Sequence, residues 1–597
     1  MKVPAQIQVQ YPELLVRTPY RPDLPERFRK AGGAWDPRAR VWRVPLLRLP
    51  KLADLLEGEG VNGALSLVRG VLTAFEKGAE EAKDRLLPEQ RKDLEALLRA
   101  LKRAVTPEEG PSGFVLANGT GTGKTYIYAA FLRGALKAGL PALLVVPNED
   151  LARQTAEVLQ AFGVEEGKLF QTATYAKLDP EKARGRILVL DEAHLAKNVF
   201  GSGASDRGRR AWKAAKNAAF VLYATATPFD RPWESQYLLV PTGFVREKEF
   251  DDFMKEFRVY AREGFGGQKE YYFAGNVEDL ARFHKTLKEQ GFLTKRLFAP
   301  PPGMVEYEVP FVDLSREEKA LLAEVRKRMR EAAKKAPPEE RGIVMAQRTF
   351  LSRAILERMK LKVALSLVEE LLAEGWHVLL FTQYRSEKVL DLSTPEAVEA
   401  AWEETEAKGL KGVLHRHMLP ALKGLALHLP SSLEVVRERF GHLGEALGFY
   451  TGAEREKELR RTKAAWDEGE IRLLVATAQK GGTGLSFHDL RGGRPTAQVV
   501  LTLPWTATQL DQILGRVVRV GMKSPVKILL PAAPVPFEKK LAATVAKSLR
   551  TLGHAVRGGE MPVPDRVVQA FLYDLANVDP EGFQRLLEEE EDVLLEA

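Results

Sequence analysis

The pattern that most constrains this chain is a double alternation of short apolar runs with longer amphipathic segments. Each half of the sequence contains four mostly apolar runs separated by stretches of helical periodicity. The first four runs are residues 113–117, 142–147, 186–191 and 220–225, and the second four are 377–382, 471–477, 497–503 and 526–531. Apolar strands that alternate with helices form parallel sheets covered on both faces. We therefore expect an α/β protein with two tandem parallel-sheet domains.

Segments outside this alternation divide the 597-residue chain further. At roughly 150 residues per domain, the length alone suggests about four modules. The predicted divisions are a small N-terminal module (1–60), a first α/β domain with lead-in helices (61–245), a mostly helical insertion or linker (246–341), a second α/β domain (342–535) with its own insertion (386–446), and a C-terminal helical extension (536–597).

The amino-acid composition limits the kinds of site and partner that the chain can have. The chain has no cysteine, which excludes disulfides, thiolate catalysis and cysteine-ligated metal sites. A net charge of +8 mildly favours a polyanionic partner, although a solvated basic surface without a partner would look the same. No secretory signal is visible, and no run approaches the ~18 apolar residues needed to span a bilayer. We expect a cytoplasmic protein that does not contact a membrane.

A glycine-rich string at residues 118–125, Asn-Gly-Thr-Gly-Thr-Gly-Lys-Thr, follows the first apolar run and opens a predicted helix. Glycines let backbone amides turn towards phosphate groups, and a helix N-terminus adds its positive end. The predicted ATP-binding residues are Gly119, Thr120, Gly121, Thr122, Gly123, Lys124 and Thr125. Lys124 would reach the β- and γ-phosphates, and Thr125 would hold Mg²⁺. Asn118 replaces the usual first glycine, and asparagine is expected to tolerate the left-handed backbone there.

An acidic pair, Asp191 and Glu192, follows the run at 186–191 in the string Asp-Glu-Ala-His. Asp191 is the natural Mg²⁺ ligand, and Glu192 can orient or deprotonate the attacking water. Taken alone, such a pair would more often cap a helix. Its position downstream of a phosphate-binding loop favours the catalytic interpretation.

Three strings together resemble the superfamily 2 helicases. They are the DEAH box at 191–194, Thr-Ala-Thr at 225–227, and Gln-Ile-Leu-Gly-Arg-Val-Val-Arg at 512–519, which matches the pattern Q-x-x-G-R-x-x-R. The resemblance implies two RecA-like domains that hydrolyse ATP and move on nucleic acid. It also implies that Arg516 and Arg519 reach the γ-phosphate from the second domain, an effect worth ~10³–10⁵ in rate. Because they lie three residues apart, close to one helical turn, both could face the nucleotide.

The same resemblance implies that Gln90, about thirty residues before the loop, reads the adenine edge; a surface glutamine on a helix is the alternative. Further strings at 191–198, 224–234, 481–493, 501–521 and 537–559 resemble the strawberry-notch branch of the superfamily, patchily over residues 86–560. Ala193 and Leu195 depart from that branch's usual DECHKAKN.

Strand ends and helix starts supply candidate contacts to a nucleic-acid backbone, because hydroxyls and amides there can hold phosphates without reading sequence. The candidates are Asn148, Arg153, Thr174, Tyr175, Thr382, Gln383, Gly482 and Thr483. Plain helix caps are the alternative for several of them.

The N-terminal stretch 20–56 resembles the HARP-like module of annealing helicases through Trp35-Asp36-Pro37 and Trp42-Arg43. The resemblance implies DNA binding, with the tryptophans in the core and Arg38, Arg40 and Arg43 as phosphate contacts. A small hairpin-and-helix domain without a DNA role is the alternative.

The sequence thus predicts a monomeric, ATP- and Mg²⁺-dependent DNA helicase or translocase. It would act on duplex, forked or single-stranded DNA in replication, recombination or repair. Three alternatives stay open: an RNA-remodelling helicase, a non-catalytic DNA-binding scaffold, and the motor subunit of a larger DNA-processing or defence assembly. The intact set of Lys124, the acidic pair and the two arginines argues against the scaffold, and the chain has no nuclease motif to support the assembly.

Overall fold

The computed structural model describes residues 2–106, 110–199, 205–263, 269–383, 390–391, 414–425, 428–451, 454–477, 486–504, 506–561 and 563–571. It divides into two compact units, residues 1–298 with 550–561 and residues 299–549 with 562–597. Each unit is built on a six-stranded sheet whose strands are all parallel. The predicted α/β class with two parallel-sheet domains is confirmed.

The first unit begins with a small antiparallel module. Its elements are β1 (Val3–Pro4), β2 (Gln6–Gln10), β3 (Glu13–Arg17), α1 (Leu24–Lys30), β4 (Ala34–Asp36), β5 (Val41–Pro45) and β6 (Leu56–Glu57). Strands β2, β3, β5 and β4 form a sheet in that order, while β1 pairs in parallel with β6. The buried rings of Phe28 and Trp42 stack with their centroids 4.9 Å apart, so α1 is fastened to the sheet by an aromatic pair.

The rest of the first unit is an alternation of strands and helices. The elements are α2 (Val61–Glu80), α3 (Pro88–Val105), β7 (Gly113–Leu116), α4 (Lys124–Lys137), β8 (Ala142–Val146), α5 (Glu149–Ala161), β9 (Phe170–Thr174), β10 (Ile187–Asp191), α6 (Asp206–Asn217), β11 (Phe220–Ala224), α7 (Gln236–Leu239), α8 (Phe250–Lys255), β12 (Val259–Glu263), β13 (Lys269–Phe273), α9 (Val277–Glu289) and β14 (Leu293–Thr294). The strand order is β14-β7-β11-β10-β8-β9, and β12 and β13 pair separately as an antiparallel hairpin. Nearly every residue of β7, β8, β10 and β11 is buried, which explains why these strands are continuous apolar runs.

The second unit repeats the design. Its elements, together with the helix that leads back to 550–561, are β15 (Val305–Glu308), α10 (Arg316–Lys335), α11 (Pro338–Ala373), β16 (His377–Thr382), β17 (Leu390–Asp391), α12 (Leu419–Leu422), β18 (His428–Leu429), α13 (Ser432–Phe440), β19 (Leu447–Tyr450), α14 (Glu456–Glu468), β20 (Leu473–Thr477), β21 (Thr496–Val500), α15 (Ala507–Leu514), β22 (Val526–Leu529), α16 (Pro536–Thr551) and α17 (Asp565–Gln569). The strand order is β15-β22-β21-β16-β20-β19. Residues 550–561 belong to the first unit, where Ala555 O lies 3.2 Å from Nδ1 of His284 in α9.

The segment 246–341 differs from its prediction as a mostly helical insertion. It contains the β12–β13 hairpin and two short strands, β14 and β15, which complete the first and the second sheet respectively. The sequence pattern does not reveal these two strands, because they are short and mixed in polarity. An edge strand pairs with a neighbouring strand on one side only, so it need not be continuously apolar. Residues 246–298 therefore lie in the first unit and residues 299–341 in the second.

The N-terminal module shares one hydrophobic core with the first sheet and its helices. Arg48 of the module is buried, and its guanidinium donates to Ala218 O (2.7 Å) and Ala219 O (3.1 Å), just before β11. Lys51 Nζ donates to Gly110 O (2.7 Å) and Ser112 Oγ (3.2 Å), just before β7. The module is thus fixed to the edge of the sheet where the strands begin.

Among the helices in the described part of the chain, none is long and apolar enough to cross a membrane.

Candidate active site

Three adjacent strands of the first sheet, β7, β11 and β10, end at the same edge because they run in parallel. The glycine-rich loop 117–123 follows β7, the Thr-Ala-Thr segment 225–227 follows β11, and Glu192 follows Asp191 at the end of β10. The fold therefore brings together three strings that are separated by up to a hundred residues in sequence. This edge lies opposite the one that carries the N-terminal module.

The glycine-rich loop has the backbone of a phosphate cradle. Gly121 and Gly123 adopt left-handed conformations, with φ of 75° and 80°. A Cβ atom at Gly123 would lie 2.3 Å from Gln90 Nε2, so a side chain there would displace Gln90 in addition to straining the left-handed backbone. Lys124 is the first residue of α4, and its Nζ donates to Asn118 O (3.0 Å) and Gly119 O (3.2 Å). The ammonium lies inside the curve of the loop, where a polyphosphate would meet it.

Asn118 is accommodated for a different reason from the one expected. Its φ is not positive, so tolerance of the left-handed region is not what it provides, and that prediction is wrong. Its fully buried amide donates from Nδ2 to Asp93 Oδ2 at 2.7 Å, and Arg296 donates to the same oxygen from Nε at 3.0 Å. Arg296 also donates to Thr122 O at 3.2 Å. Asparagine thus bonds the loop to α3 through a buried carboxylate.

Gln90 lies in α3 beside the loop and is buried. Its Nε2 donates to Thr122 O at 3.2 Å, and its Oε1 accepts the backbone N–H of Leu87 at 3.0 Å. Both ends of the amide are therefore bonded within the protein. Reading an adenine edge would require the side chain to exchange these two hydrogen bonds for two to the base.

The two predicted Mg²⁺ ligands, Thr125 and Asp191, converge on the hydroxyl of Tyr128. That hydroxyl donates to Asp191 Oδ2 at 3.2 Å and is also hydrogen-bonded to the Thr125 side chain. Burial, and then the negative charge of Glu192, raise the pKa of Asp191 to about 7, while Lys124 acts in the opposite direction. A divalent cation would add positive charge beside the two neighbouring carboxylates of Asp191 and Glu192, so the residues present fit Mg²⁺.

Glu192 has an unusual backbone, with φ of 47° and ψ of 49°. A left-handed residue other than glycine costs on the order of 1–3 kcal/mol and persists only when its surroundings hold it. Glu192 N–H donates to Asp191 Oδ1 at 3.0 Å, and its carboxylate lies 3.4 Å from His194 Nδ1. His194 in turn contacts Thr225 Oγ1 at 3.0 Å, and burial lowers the pKa of this histidine. The DEAH box and the Thr-Ala-Thr segment are therefore joined directly.

In the second unit, α15 ends at Leu514, so the two candidate arginines follow the helix and are not on it. Arg516 is buried, with 3% of its surface exposed, while Arg519 is half-buried. Burial, and then the charges of Arg519 and Lys463, lower the pKa of His488 to about 4, which places Arg519 close to that ring. The expectation that both arginines occupy one face of a helix is corrected: both follow the end of α15, and they differ in burial.

The nucleic-acid candidates divide into buried and accessible side chains. Tyr175 is fully buried and donates its hydroxyl to Asp191 O at 2.8 Å, so its prediction as a nucleic-acid contact is wrong. Thr174 and Thr382 are also buried, and Asn148 caps α5 by accepting the N–H of Leu151 at 2.9 Å. The exposed Arg153 is bonded to Asp150.

Gln383 is partly accessible, and its backbone N–H donates to the buried Glu357 at 2.8 Å. Gly482 and Thr483 lie outside the described residues.

In the N-terminal module, Arg38 and Arg40 are exposed on the turn between β4 and β5. Arg43 differs, because its guanidinium is bonded to the buried carboxylate of Glu13. Trp42 belongs to the core as expected, whereas Trp35 is 49% exposed and differs from that expectation.

Tyr128, Asp93 and Arg296 were not among the sequence candidates. Tyr128 had a local signal, since it stands one helical turn after Lys124 on the face that meets the loop. Arg296 had none, because only the pairing of β14 with β7 brings it to the loop.

Comparison with known proteins supports the motor assignment. Residues 83–182, which contain the phosphate loop, match the family model described as type III restriction enzyme, res subunit. Over 460 residues the chain is 22% identical to a protein of Acanthamoeba polyphaga mimivirus described as an ATP-dependent RNA helicase, covering 74% of this chain and 79% of the relative.

Two solved structures are also similar, at low superposition scores. The SWI2/SNF2 ATPase core domain of Sulfolobus solfataricus is 16% identical, with 75% of this chain and 85% of that chain covered and a TM-score of 0.29. S. cerevisiae Dbp5 bound to RNA and ADP BeF3 is 13% identical, with 83% and 99% covered and a TM-score of 0.37. Both TM-scores are low, and the fold is defined by the two parallel sheets of this chain itself. The family match and the helicase relative show an ATP-hydrolysing enzyme of superfamily 2 helicase type.

Proposed function

We propose that this superfamily 2 ATPase is a Mg²⁺-dependent DNA helicase or translocase that acts on duplex or branched DNA in replication, recombination or repair. The observation that carries the proposal is the arrangement at one edge of the first sheet. There Lys124 lies within a glycine-bearing loop, and Asp191 and Glu192 end the strand two positions away. Phosphoryl transfer needs this combination of a cationic cradle, a metal ligand and a group that acts on water.

Different residues of this chain would carry out the separate tasks in ATP hydrolysis. Lys124 and the loop amides bind and orient the phosphates, while Thr125 and Asp191 would hold Mg²⁺. Bound Mg²⁺ would neutralise charge on the phosphate oxygens. Glu192, next to the neutral His194, orients the attacking water or accepts its proton. Arg519, and Arg516 with it, would stabilise the charge of the transition state.

DNA is the proposed track because the chain carries an excess of basic residues and a module with exposed arginines at 38 and 40. We propose the strawberry-notch-like branch for the motor and a HARP-like, DNA-binding role for residues 1–60. The candidate contacts that stay accessible, Arg153 and Gln383, would add phosphate contacts. Residues 61–245 completed by β14, and residues 342–535 completed by β15, would form the two motor domains.

Two other functions have specific support. The description of the mimivirus relative favours an RNA-remodelling helicase. The description of the matched family favours a motor subunit of a larger DNA-processing or defence assembly.

ATPase activity measured with matched nucleic acids distinguishes these functions. Single-stranded, duplex, forked and four-way DNA are compared with single-stranded and duplex RNA of the same sequence, and Lys124→Ala serves as the inactive control. We expect duplex or branched DNA to stimulate hydrolysis most. Stronger stimulation by RNA would replace the proposal with the RNA helicase, and no stimulation by any of them would favour a motor that needs partner subunits.

Exchanging Arg38 and Arg40 together for glutamine should weaken DNA binding through salt-dependent contacts. Each lost phosphate contact reduces the slope of log affinity against log salt by about 1, so we expect a reduction of about 2. Basal ATP hydrolysis should be unchanged, because the nucleotide loop lies at the other edge of the sheet. The measurement is fork-DNA affinity at several salt concentrations.

Arg43 is left intact in this test, since its removal would leave the buried Glu13 carboxylate without its partner. The matched control is Arg246→Gln, which removes an exposed arginine already paired with Glu249. Equal affinity and slope in the double variant and the wild type would make the module a structural cap. Deleting residues 1–60 is unsuitable, because the deletion would open the shared core.

A further inference from the structure

Two strings that have no assigned role in hydrolysis meet in the first unit. The DEAH box continues as Leu-Ala-Lys-Asn (195–198), and the Thr-Ala-Thr segment continues as Pro-Phe-Asp-Arg-Pro-Trp-Glu (228–234). Lys197 from the first string forms ion pairs with Asp230 and Glu234 from the second. The distance from Lys197 Nζ to Glu234 Oε2 is 3.2 Å.

This cluster is mostly shielded from water. The exposed fractions of the side chains are 16% for Lys197, 5% for Asp230 and 18% for Glu234. Glu234 also accepts the backbone N–H groups of Asp230 (2.7 Å) and Arg231 (3.2 Å), which closes the second string into a compact loop. The lysine therefore pairs with two carboxylates of one compact loop.

Folding stability alone does not explain why three charged side chains are shielded from water in this cluster. Taking charges out of water offsets most of their mutual attraction, and uncharged groups of the same shape are often as stable. What a buried ion cluster does provide is a fixed geometry between the segments that carry it. Such a cluster is therefore expected to fix the position of a neighbouring group.

A single short turn connects the cluster to the strained glutamate. Leu195 N–H donates to Glu192 O at 3.0 Å, and Lys197 N–H donates to His194 O at 3.2 Å, so residues 193–196 form a 3₁₀ turn. Glu192 begins this turn and Lys197 ends it. The start is held by Asp191, the middle by the His194–Thr225 contact, and the end by the ion cluster.

We propose that Lys197 is a positioning residue for ATP hydrolysis: its paired ammonium holds the turn that presents the Glu192 carboxylate to water. The inference rests on the proposed role of Glu192. Lys197 touches neither nucleotide nor water in this role. It acts by keeping Glu192 in its left-handed conformation against the Thr-Ala-Thr segment.

The test removes the charges without leaving any of them unpaired. Lys197→Met alone would strand two buried carboxylates, so the informative variant is Lys197→Met combined with Asp230→Asn and Glu234→Gln. We expect this triple variant to melt as the wild type does and to keep its KM for ATP. Its kcat, measured without nucleic acid, should fall by roughly 10²-fold, the size of effect that a displacement of about 1 Å produces. The matched control is Lys216→Met, which removes an exposed lysine paired with Glu247 and should keep the wild-type kcat.

Three results would overturn the inference. Wild-type kcat in the triple variant would show that the charges do not position Glu192. A rise in KM with unchanged kcat would place the cluster in nucleotide binding. A melting temperature well below that of the wild type would make the cluster a requirement of the fold. Glu192→Gln, assayed in parallel, separates the two hypotheses: if it hydrolyses ATP normally, the role of Glu192 itself fails.

Discussion

Glu192→Gln should slow ATP hydrolysis by roughly 10²–10⁴-fold, the contribution of a positioned general base, while the nucleotide stays bound. The amide keeps the shape of the side chain but cannot accept a proton from water. Nucleotide binding should survive because the proposed phosphate contacts are those of the loop and of Lys124, which Glu192→Gln leaves intact. Single-turnover hydrolysis and retention of labelled ATP measure the two effects separately.

Lys124→Ala provides the contrast to this variant, because it should lose both nucleotide affinity and hydrolysis. If Glu192→Gln kept more than a tenth of the wild-type rate, another group would have to act on the water. His194 and Asp191, which both contact Glu192, would then be the candidates.

Arg519→Ala should lower the rate of ATP hydrolysis by ~10³–10⁵-fold, the range measured for arginines that stabilise a phosphoryl transition state. The expectation comes from the Q-x-x-G-R-x-x-R pattern, in which Arg519 is the second arginine. Nucleic-acid binding in the absence of nucleotide should be unaffected. Steady-state kcat and nucleotide-free DNA affinity are the two measurements.

Arg516 needs a gentler substitution, because its side chain is buried and alanine would leave a cavity in the second unit. Arg516→Lys keeps the charge but loses the planar fork of donors. A wild-type rate in Arg519→Ala would remove Arg519 from the transition state, and a wild-type rate in Arg516→Lys would show that the planar fork of Arg516 is not needed there.

The sequence pattern predicted the inner strands of each sheet and missed the edge strands. The eight apolar runs correspond to β7, β8, β10, β11, β16, β20, β21 and β22, which are the four inner strands of each sheet. The four strands without a prediction, β9, β14, β15 and β19, are the edges. Inner parallel strands are covered on both faces and become continuous apolar runs, whereas the edge strands are partly exposed and mixed in polarity.

A similar limit applies to the active site. The glycine-rich loop, the lysine and the acidic pair could be predicted because each lies in a contiguous string whose chemistry demands its spacing. The Asp93–Arg296 pair that anchors Asn118 could not, since it depends on how α3 and the strand β14 fold against the loop. Contiguous sequence motifs therefore identify the reacting groups, whereas the residues that hold those groups in place depend on the tertiary fold.

The nucleic-acid candidates show how ambiguous a strand end is. Asn148 and Tyr175 occupy the expected positions, but one caps a helix and the other supports Asp191 from the core. A polar residue after a strand can satisfy the backbone of its own chain, and sequence alone does not reveal whether a ligand or a neighbouring amide is the partner.

The shared core of the N-terminal module and the first sheet has a consequence for cooperativity. The rings of Phe75, Phe131 and Phe220, with successive centroids 4.8 and 5.9 Å apart, belong to the same core cluster as Phe28 and Trp42 of the module. Arg48 joins the two parts by donating to the carbonyls of Ala218 and Ala219. Segments that share buried surface in this way open and close together, and their amides exchange with solvent in a single event. The first sixty residues and the nucleotide-binding sheet should therefore behave as one foldon, with no intermediate in which one has melted and the other has not.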